Sequence, residues 1–346
     1  MNDTSPLLAL PQAVDYASMQ DSMPATDLAG VAWHYGNPLG EQRVLETSPS
    51  FVDLSHRQIL SVTGPDAPEF LHKLLSQQLI DAPTNKPRLA LDLDAQGHIL
   101  HMLRVIPTAD GFYLDLAPSQ AQSLQTYLER MIFWSQVEIA TTDLARLHVH
   151  SSIQPAGDLV YAAGPEHWDV YVPRTQLRAY VDATELRPVG LMAYTAARVR
   201  QLEPELSLDI DAKTIPHEIP HFIGRGEHVG AVHLEKGCYR GQETVARVEN
   251  LGRAPRQLVL VHLDGSAPEL PEPGADIFSG KRRVGRLGTV VQDYEYGPIA
   301  LALVKHSALR ANLQVAEMDI AVDPDSLQVT QSEQRGKQAI AKLRGQ

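Results

Sequence analysis

Residues 56–134 alternate between strand-like and helix-like stretches, and this alternation limits the chain to a small set of folds. Strand patterns cover 56–64, the two apolar runs of 87–106, and 111–116, while amphipathic helical patterns cover 64–79 and 119–134. The two apolar runs flank the tetrapeptide "DAQG", which is typical of a hairpin turn. Strands and helices in this order predict an α+β layering.

A second series of similar elements follows the first. It comprises strand-like pieces at 145–150, 158–162 and 168–172 and helical pieces near 174–181 and 190–202. We therefore predict a region of two α+β halves over residues 27–252, with a break near residue 145.

The two ends of the chain have a different composition from the middle. Residues 253–330 contain short strand-like runs separated by glycine, proline and aspartate, a spacing typical of a small β-barrel. Residues 1–26 are irregular and predict a mobile N-terminal segment. Residues 331–346 predict a loose helical tail.

The overall charge argues against a broad nucleic-acid interface. The chain has 42 acidic and 30 basic residues, a formal net charge of −12. So acidic a protein is poorly suited to a wide phosphate-binding face, and direct nucleic-acid binding is not expected. The basic clusters at 280–286 and 335–345 are interpreted as solvated turn and tail charges.

The chain has one cysteine, which excludes an intramolecular disulfide and an iron–sulfur cluster held by this chain alone. No paired Cys/His zinc pattern is present. The N-terminus lacks the features of a signal peptide, and no run approaches the roughly 20 apolar residues of a membrane helix. We expect a reduced, cytoplasmic location, without a membrane partner.

The segment "HEIPHFIGRGEH", 217–228, contains the H-E-x-x-H pattern of zinc proteases. That chemistry needs two histidines one helical turn apart, but Pro216 and Pro220 interrupt the segment and Gly224 and Gly226 follow it. A helix long enough for the site is therefore not expected, and no metal site is predicted.

The segment "EKGCYRGQETVAR", 235–247, contains the single cysteine in a glycine-flanked turn. Gly237 and Gly241 permit turns that bring other groups close to a ligand. Lys236 and Arg240 place positive charge on either side of Cys238, which favours the reactive thiolate. These features predict a functional thiol, because a structural cysteine is more often placed in an apolar strand or helix.

Other polar residues near the cysteine are candidates to assist it. Gln242 and Glu243 add directed hydrogen-bonding groups. The sequence offers His233, Glu235 and Glu243 as bases, without showing which of them reaches the thiol.

The motif "KGCYRGQE", which includes Tyr239, resembles the signature of the YgfZ family of folate-binding proteins, which are related to the glycine-cleavage T-protein, an aminomethyltransferase. The resemblance extends over about residues 30–320. Further matching segments are 53–71, 94–100, 197–206 and 216–220.

The resemblance implies two α+β folate-binding units around a central channel, followed by a C-terminal β-barrel. It implies tetrahydrofolate as cofactor, with the pterin in the channel. It also implies a role in the assembly or repair of iron–sulfur clusters in client enzymes, including one that thiomethylates transfer RNA. In that role Cys238 would act as the functional thiol.

The resemblance implies two folate contacts. Asp169, in "HWDVYV", corresponds to the glutamate that holds the pterin ring in the T-protein. Arg198, in "ARVRQ", corresponds to a helix arginine near the folate, with Arg200 as the nearby alternative. A carboxylate can accept two N–H bonds from one ring.

The chain departs from the T-protein after the first hairpin turn. Leu100 and His101 occupy the positions of an aspartate pair that includes the catalytic carboxylate. An imidazole supplies no fixed anion beside the reacting nitrogen, so an accessory protein is favoured over an aminomethyltransferase. Two alternatives remain: a folate-dependent one-carbon transferase with an unknown acceptor, and a family member that binds partners without folate.

Overall fold

The computed structural model describes residues 4–19, 27–84, 86–251, 253–267 and 269–327. Its strands are β1 (Val14–Asp15), β2 (Ala32–His34), β3 (Ser50–Asp53), β4 (Gln58–Thr63), β5 (Arg88–Leu93), β6 (Ile99–Pro107), β7 (Gly111–Leu116), β8 (Glu138–Thr141), β9 (Leu144–His150), β10 (Leu159–Gly164), β11 (His167–Pro173), β12 (Arg187–Val189), β13 (Arg256–Leu263), β14 (Asp276–Ser279), β15 (Arg282–Asp293), β16 (Gly297–Lys305), β17 (Leu313–Val315) and β18 (Met318–Val322). Its helices are α1 (Pro38–Thr47), α2 (Ala67–Leu74), α3 (Pro118–Arg130), α4 (Leu177–Asp182), α5 (Leu191–Arg200), α6 (Leu206–Asp209) and α7 (Gln242–Leu251).

The first unit is an antiparallel sheet in the order β5-β6-β7-β4-β8, with α2 and α3 packed on one face. The apolar side chains of the two helices point to that face, as their helical spacing predicts. Helix α2 ends earlier than the pattern suggests, at Leu74. The reason is that the next residues leave the helix to pair with β5, with the Ser76 N–H donating to the Leu91 carbonyl.

The second unit is a sheet in the order β10-β11-β9-β3-β12. Strand β3 precedes the whole first sheet in the chain, yet it pairs with β9 antiparallel and with β12 parallel. The chain therefore enters the second sheet, builds the first, and returns at β9. The two units are interlocked through β3, although most of the second unit follows residue 144.

The C-terminal part is a closed barrel of six strands in the order β13-β16-β15-β14-β17-β18, as the fold prediction stated. Its interior is filled by short aliphatic side chains such as Val259, Ala300 and Ala302. A closed barrel leaves no unpaired sheet edge, so many short strands can form a stable module.

The N-terminal segment packs against the second unit over the residues that the structure describes. Residues 4–19 form two 3-10 turns and β1, and the Leu7 side chain is fully buried in the core of the second unit. The Ser5 hydroxyl also donates a hydrogen bond to the buried Asp53. Residues 4–19 are therefore held against the second unit by an apolar anchor in this structure, and the mobility expected of residues 1–26 stays a prediction. The predicted tail, 331–346, and the basic cluster at 335–345 lie outside the described residues.

One apolar core joins the three units. It combines Leu91 and Met102 of the first sheet, Val199 of α5, and Leu258 and Leu301 of the barrel. Further members come from the cysteine-containing segment and the helix after it, which places that segment where the units meet. Within the described residues, no helix is long and apolar enough to cross a membrane.

Candidate functional site

The cysteine motif lies in a turn that leads directly into α7, and Cys238 itself is exposed. The turn depends on Gly241, whose φ is +81° and on which a Cβ would lie 2.7 Å from the Asp94 carbonyl oxygen. The same Cβ would lie 3.0 Å from Cα of Gly97, in the β5–β6 hairpin turn. The two sequence features, "DAQG" and "GCYRGQE", are therefore packed against each other, and only glycine fits at the contact.

Lys236 anchors the motif to the first unit. Its side chain is buried, and its ammonium group donates to the carbonyl of His72 and, at 2.5 Å, to that of Leu75. These carbonyls belong to the C-terminal end of α2, where a cation is favoured. The Nζ atom also lies 4.8 Å from the centroid of the Tyr239 ring. Burial lowers the pKa of Lys236 to about 8.

Arg240 anchors the other side of the motif. Its guanidinium donates to the Leu93 carbonyl and, at 2.6 Å, to Oδ1 of the buried Asp92. It also lies 4.4 Å from the centroid of the Tyr127 ring on α3. Both cations of the motif thus have partners of their own, and the structure reveals a structural task for them. That their charge also activates Cys238 stays a prediction.

His101 faces α3. Its Nδ1 lies 2.8 Å from the second oxygen of Asp92, and its Nε2 lies 2.8 Å from the hydroxyl of Ser123. Asp92 also accepts a hydrogen bond from Arg240, so His101 helps to hold the carboxylate that anchors the cysteine motif. It does not line either of the cavities described below.

A histidine that sequence reasoning missed lies next to the motif. A Cβ on Gly237 would lie 3.8 Å from Nε2 of His72. The Leu79 N–H donates to Nδ1 of His72 at 3.4 Å, so in the neutral ring the proton is on Nε2, toward the motif. Burial, together with the charge of Lys236, lowers the pKa of His72.

The three bases suggested by the sequence have different surroundings. His233 is half-buried, and its backbone N–H donates to the Ser76 carbonyl. Its ring Nδ1 has no partner among the described residues. Glu235 and Glu243 are exposed. Within the described part of the chain, none of the three makes a hydrogen bond to Cys238, so their role stays a prediction.

Two adjoining cavities lie between the units, of about 390 Å³ and about 210 Å³. Both are lined by Arg104, Arg146, Tyr194 and Glu203, which therefore mark the junction between them. Their combined lining comes from both sheets, α5 and the segment that follows it. Ligand sites commonly have this size and lie between domains.

Asp169 is fully buried beneath the cavities. Its Oδ1 accepts from Nε of Arg146 at 3.0 Å and from a second nitrogen of that guanidinium at 2.8 Å, and Arg104 donates to its Oδ2. His148 Nδ1 lies 3.1 Å from Oδ1. Burial alone would raise the pKa of Asp169, but Arg146 and Arg104 hold it well below its ordinary value. The predicted folate carboxylate is therefore engaged with protein partners and is not among the cavity-lining residues.

A second buried carboxylate, Asp115, completes the network. It accepts from Arg57 at 2.5 Å, from Arg146 at 3.1 Å and from the Tyr171 hydroxyl at 2.9 Å. Burial would raise the pKa of Asp115, but Arg57 and Arg146 hold it below its ordinary value. Arg146 thus bridges two ionised carboxylates, and no local sequence pattern indicates this pairing, because the partners come from different strands.

Arg198 is buried and engaged as well. One of its nitrogens donates to the Glu203 carbonyl and to Asp209, both at 3.0 Å, and the other donates to Thr289 of the barrel at 2.6 Å. The residue lines the larger cavity and also joins α5 to the barrel. The alternative, Arg200, lines the same cavity and pairs with Glu46.

Two histidines of the second sheet form a relay beside the larger cavity. The ionised Asp169 accepts from Nδ1–H of His148, which leaves Nε2 of His148 to accept from Nδ1–H of His167 at 3.2 Å. Nε2 of His167 then has no hydrogen-bond partner among the described residues and can accept from a ligand. Burial and the neighbouring His148 lower the pKa of His167 to about 4, so the ring is neutral at physiological pH.

Glu203 is the cavity carboxylate that sequence reasoning missed. The Glu203 side chain is exposed, yet the protein around it is close enough to raise its pKa. Arg104 and Arg146 act in the opposite direction and lower that pKa. The two observations agree if the accessible area faces the cavities that Glu203 lines. The preceding residue, Leu202, has a φ of +59°, which is uncommon for leucine and is a local signal of constraint.

The H-E-x-x-H segment forms two separate 3-10 turns, Pro216–Glu218 and Pro220–Phe222, in place of one helix. His217 pairs with Glu249 at 3.1 Å, and both oxygens of Glu218 accept from Arg256. Within the described residues, no cluster of three or more histidine, cysteine or acidic side chains is arranged to hold a metal ion.

The chain is similar to proteins of known name over most of its length. It is 25% identical to the tRNA-modifying protein YgfZ of Cronobacter sakazakii, over 70% of this chain and 80% of that protein. It is 28% identical to YgfZ of Edwardsiella ictaluri, over 73% and 83%. The resemblance predicted from the cysteine motif is confirmed.

Two further similarities concern an iron–sulfur cluster assembly factor and the C-terminal barrel. An iron–sulfur cluster assembly factor IBA57 homolog, mitochondrial, from Neurospora crassa is 27% identical over 64% of this chain and 56% of that protein. Residues 256–329 match the family described as the CAF17 C-terminal beta-barrel domain, which agrees with the closed barrel that begins at Arg256.

The fold as a whole also has a solved counterpart. The glycine cleavage system aminomethyltransferase T from Bartonella henselae superposes with a TM-score of 0.71 over 91% of this chain and 94% of that chain, at 18% identity. This likeness establishes a common fold. The predicted architecture, two α+β units followed by a barrel, is confirmed.

Proposed function

We propose that this protein is a tetrahydrofolate-binding accessory factor for the assembly or repair of iron–sulfur clusters in client enzymes, including enzymes that thiomethylate transfer RNA. Similar proteins are named as tRNA-modifying and as iron–sulfur cluster assembly factors, which supports a role in that area. The observation that carries the folate part is the pair of adjoining cavities between the units, with a carboxylate at their junction.

The residues around the cavities fit tetrahydrofolate in size and in chemistry. The smaller cavity offers apolar side chains, including Leu89, Met102 and Phe222, against which a flat ring can pack. The larger cavity has polar and cationic walls, including Arg200 and His167, which suit the carboxylates of a glutamate tail. When bound, the folate would supply one-carbon or redox chemistry, and the protein side chains would bind and orient it.

Cys238 is proposed as the functional thiol. It is exposed, while Lys236 and Arg240 on either side are anchored to the first unit, so the turn presents the sulfur at a defined place. One thiolate suits a transient contact with a cluster, a sulfur atom or a client protein better than permanent possession of a cluster. A single cysteine also agrees with a reduced, cytoplasmic compartment.

A folate-dependent one-carbon transferase is the second candidate, and one observation favours it. Glu203 places a carboxylate in the smaller cavity, as a transferase would need. Strand β6, which lacks the expected aspartate pair, contributes only Met102, Leu103 and Arg104 to that cavity. Turnover of methylene-tetrahydrofolate with a defined amine or thiol acceptor would support the transferase and weigh against a purely accessory role.

The first experiment is an anaerobic titration of the purified protein with tetrahydrofolate, followed by calorimetry. Saturable binding supports the proposal, and no binding at millimolar ligand contradicts its folate part. The variant Arg198→Ala is a poor probe by itself, because its side chain also joins α5 to the barrel. Arg200→Ala is the second probe, because Arg200 lines the same cavity and pairs with Glu46 and Asp293.

The second experiment tests the thiol in cells that lack the native copy. We expect Cys238→Ser to lose client cluster content and transfer-RNA thiomethylation, while the protein still binds tetrahydrofolate. Ser207→Ala, a change at another exposed position, is the matched control. Unchanged thiomethylation in the Cys238→Ser strain would show that the thiol has no such role.

A further inference from the structure

The carboxylate of Glu203 differs from the other carboxylates of the two cavities. Glu46 accepts from Arg200 and from the Tyr294 hydroxyl, and Glu205 lies 3.3 Å from Arg57. The side chain of Glu203 makes no hydrogen bond or ion pair with any residue that the structure describes. Its two oxygens are therefore free to accept hydrogen bonds from a ligand in the cavities that Glu203 lines.

The backbone holds this carboxylate in position. The Glu203 N–H donates to the Arg198 carbonyl at 2.8 Å, and the Glu203 carbonyl accepts from the Arg198 guanidinium at 3.0 Å. Leu202, with its φ of +59°, turns the chain out of α5 immediately before. Fixed backbone hydrogen bonds and a constrained turn present the side chain at the junction of the cavities, without using its oxygens.

The two cavities on either side of Glu203 differ in chemistry. The smaller one has Leu89, Met102, Leu103 and Phe222 in its wall, together with charged residues that include Arg57 and Glu205. The larger one contains His148, His167, Arg198 and Arg200. A flat ring can pack against the apolar side chains of the smaller cavity, and an acidic group can pair with the cations of the larger one.

We propose that Glu203 binds the edge of a 2-amino-4-oxo bicyclic heterocycle through two parallel N–H donors, with the ring in the smaller cavity and an acidic tail in the larger one. The proposal rests on the proposed binding of folate and names the residue that recognises its ring. A carboxylate is suited to two adjacent N–H donors, since each of its oxygens can accept one of them. Asp169 is less suited to this task, because it is fully buried, does not line either cavity, and already accepts from Arg104 and Arg146.

The test compares two ligands against variants of one cavity. The ligands are tetrahydrofolate and an analogue in which a methyl group replaces the 2-amino group. The variants are Glu203→Gln and, as matched control, Glu205→Gln, which changes a glutamate that lines the same small cavity but is paired with Arg57. Glutamine keeps the size of glutamate, but its NH₂ group opposes one of the two donors.

We expect Glu203→Gln to weaken tetrahydrofolate binding by about 10- to 100-fold, the range for lost hydrogen bonds to a charged group. Binding of the methyl analogue should change by less than about threefold in the same variant, because the opposed donor is absent. Glu205→Gln should change the affinities for the two ligands by the same factor. Continued binding of the analogue also shows that the Glu203→Gln protein is folded, and Glu203→Asp serves as a second variant, with an expected intermediate loss.

The outcomes separate this inference from the proposed function. If the wild type binds tetrahydrofolate and Glu203→Gln binds it equally well, the assignment of Glu203 is wrong and the folate proposal stands. If Glu203→Gln weakens both ligands equally, the carboxylate does not read the 2-amino edge, and the inference is overturned. If the wild type fails to bind tetrahydrofolate at millimolar concentration, the folate proposal fails and this inference fails with it.

Discussion

Replacement of Arg146 by methionine is the sharpest stability test that the structure offers. The guanidinium is almost entirely buried and bridges two fully buried carboxylates, Asp169 and Asp115. It donates to the first through two nitrogens at 2.8 and 3.0 Å and to the second at 3.1 Å. Methionine keeps the length of the aliphatic stem, so the change removes the charge and its donors with little loss of volume.

The magnitude follows from what remains around the carboxylates. Breaking a buried ion pair by removing one partner typically costs about 3–5 kcal/mol, because a charge is left buried and uncompensated. Asp169 would keep Arg104 and His148, and Asp115 would keep Arg57 and Tyr171. These remaining partners keep the expected loss of unfolding free energy within that range, although Arg146 serves two carboxylates.

The assay is urea denaturation followed by circular dichroism and fluorescence at about pH 7, with agreement of the two probes as the check on two-state behaviour. The control is Arg178→Ala, which removes an exposed i,i+4 pair with Asp182 and should cost less than about 0.5 kcal/mol. A loss below about 1 kcal/mol for Arg146→Met would refute the reasoning, because the buried carboxylates would then not depend on this guanidinium.

The pH dependence of the same variant provides a second readout. The pKa of Asp169 in the folded state lies below its ordinary value, so its contribution is present above the unfolded pKa of about 3.9 and is lost as the pH falls toward the folded pKa. Removing Arg146 raises that folded pKa. The free-energy difference between wild type and variant should therefore be largest above about pH 5 and shrink on acidification. A difference that grows in acid would contradict the assignment of an ionised Asp169.

Three further predictions concern the cysteine motif and use the same denaturation assay, each with its own criterion. Gly241→Ala should cost about 2 kcal/mol or more of unfolding free energy, because φ is +81° and the new Cβ would lie 2.7 Å from a backbone oxygen. The control Gly226→Ala, whose Cβ would have no atom within 4 Å, should cost about 1 kcal/mol. Equal losses for the two variants would contradict the close contact at Gly241. Arg240→Lys should cost about 1–2 kcal/mol, because lysine cannot reproduce both the hydrogen-bond pair and the ring contact, and a neutral result would mean that the anchor is unimportant. Cys238→Ser should change stability by less than about 0.5 kcal/mol, because the thiol is exposed, and a large loss would assign it a packing role.

The elements of this fold could largely be predicted from the sequence, because their signals are local. The helical spacing of Phe70, Leu71 and Leu74 places them in one core, and the same holds for Leu124 and Leu128 of α3. The short strands after residue 253 form the predicted barrel. The assignment of β3 to the second sheet could not be predicted, because strand pairing over about a hundred residues leaves no local pattern.

In the candidate site, too, local features could be predicted from the sequence and tertiary contacts could not. The glycines of the cysteine motif indicated close backbone contact, and Gly241 makes it. Asp169 and Arg198 could be named from the resemblance, but their partners are set by the tertiary structure, and these partners occupy the polar atoms that were expected to face folate. Glu203 gave no sequence signal beyond its position after α5, since a glutamate in a proline-containing turn is usually a solvated residue.

Strand β5 connects the two parts of the candidate site. It lines the smaller cavity at Leu89, and four residues later the Leu93 carbonyl receives Arg240 of the cysteine motif. The adjacent Asp92 receives the same guanidinium, and the hairpin turn that follows packs against Gly241. A ligand in the smaller cavity would thus contact the strand that holds the turn presenting Cys238.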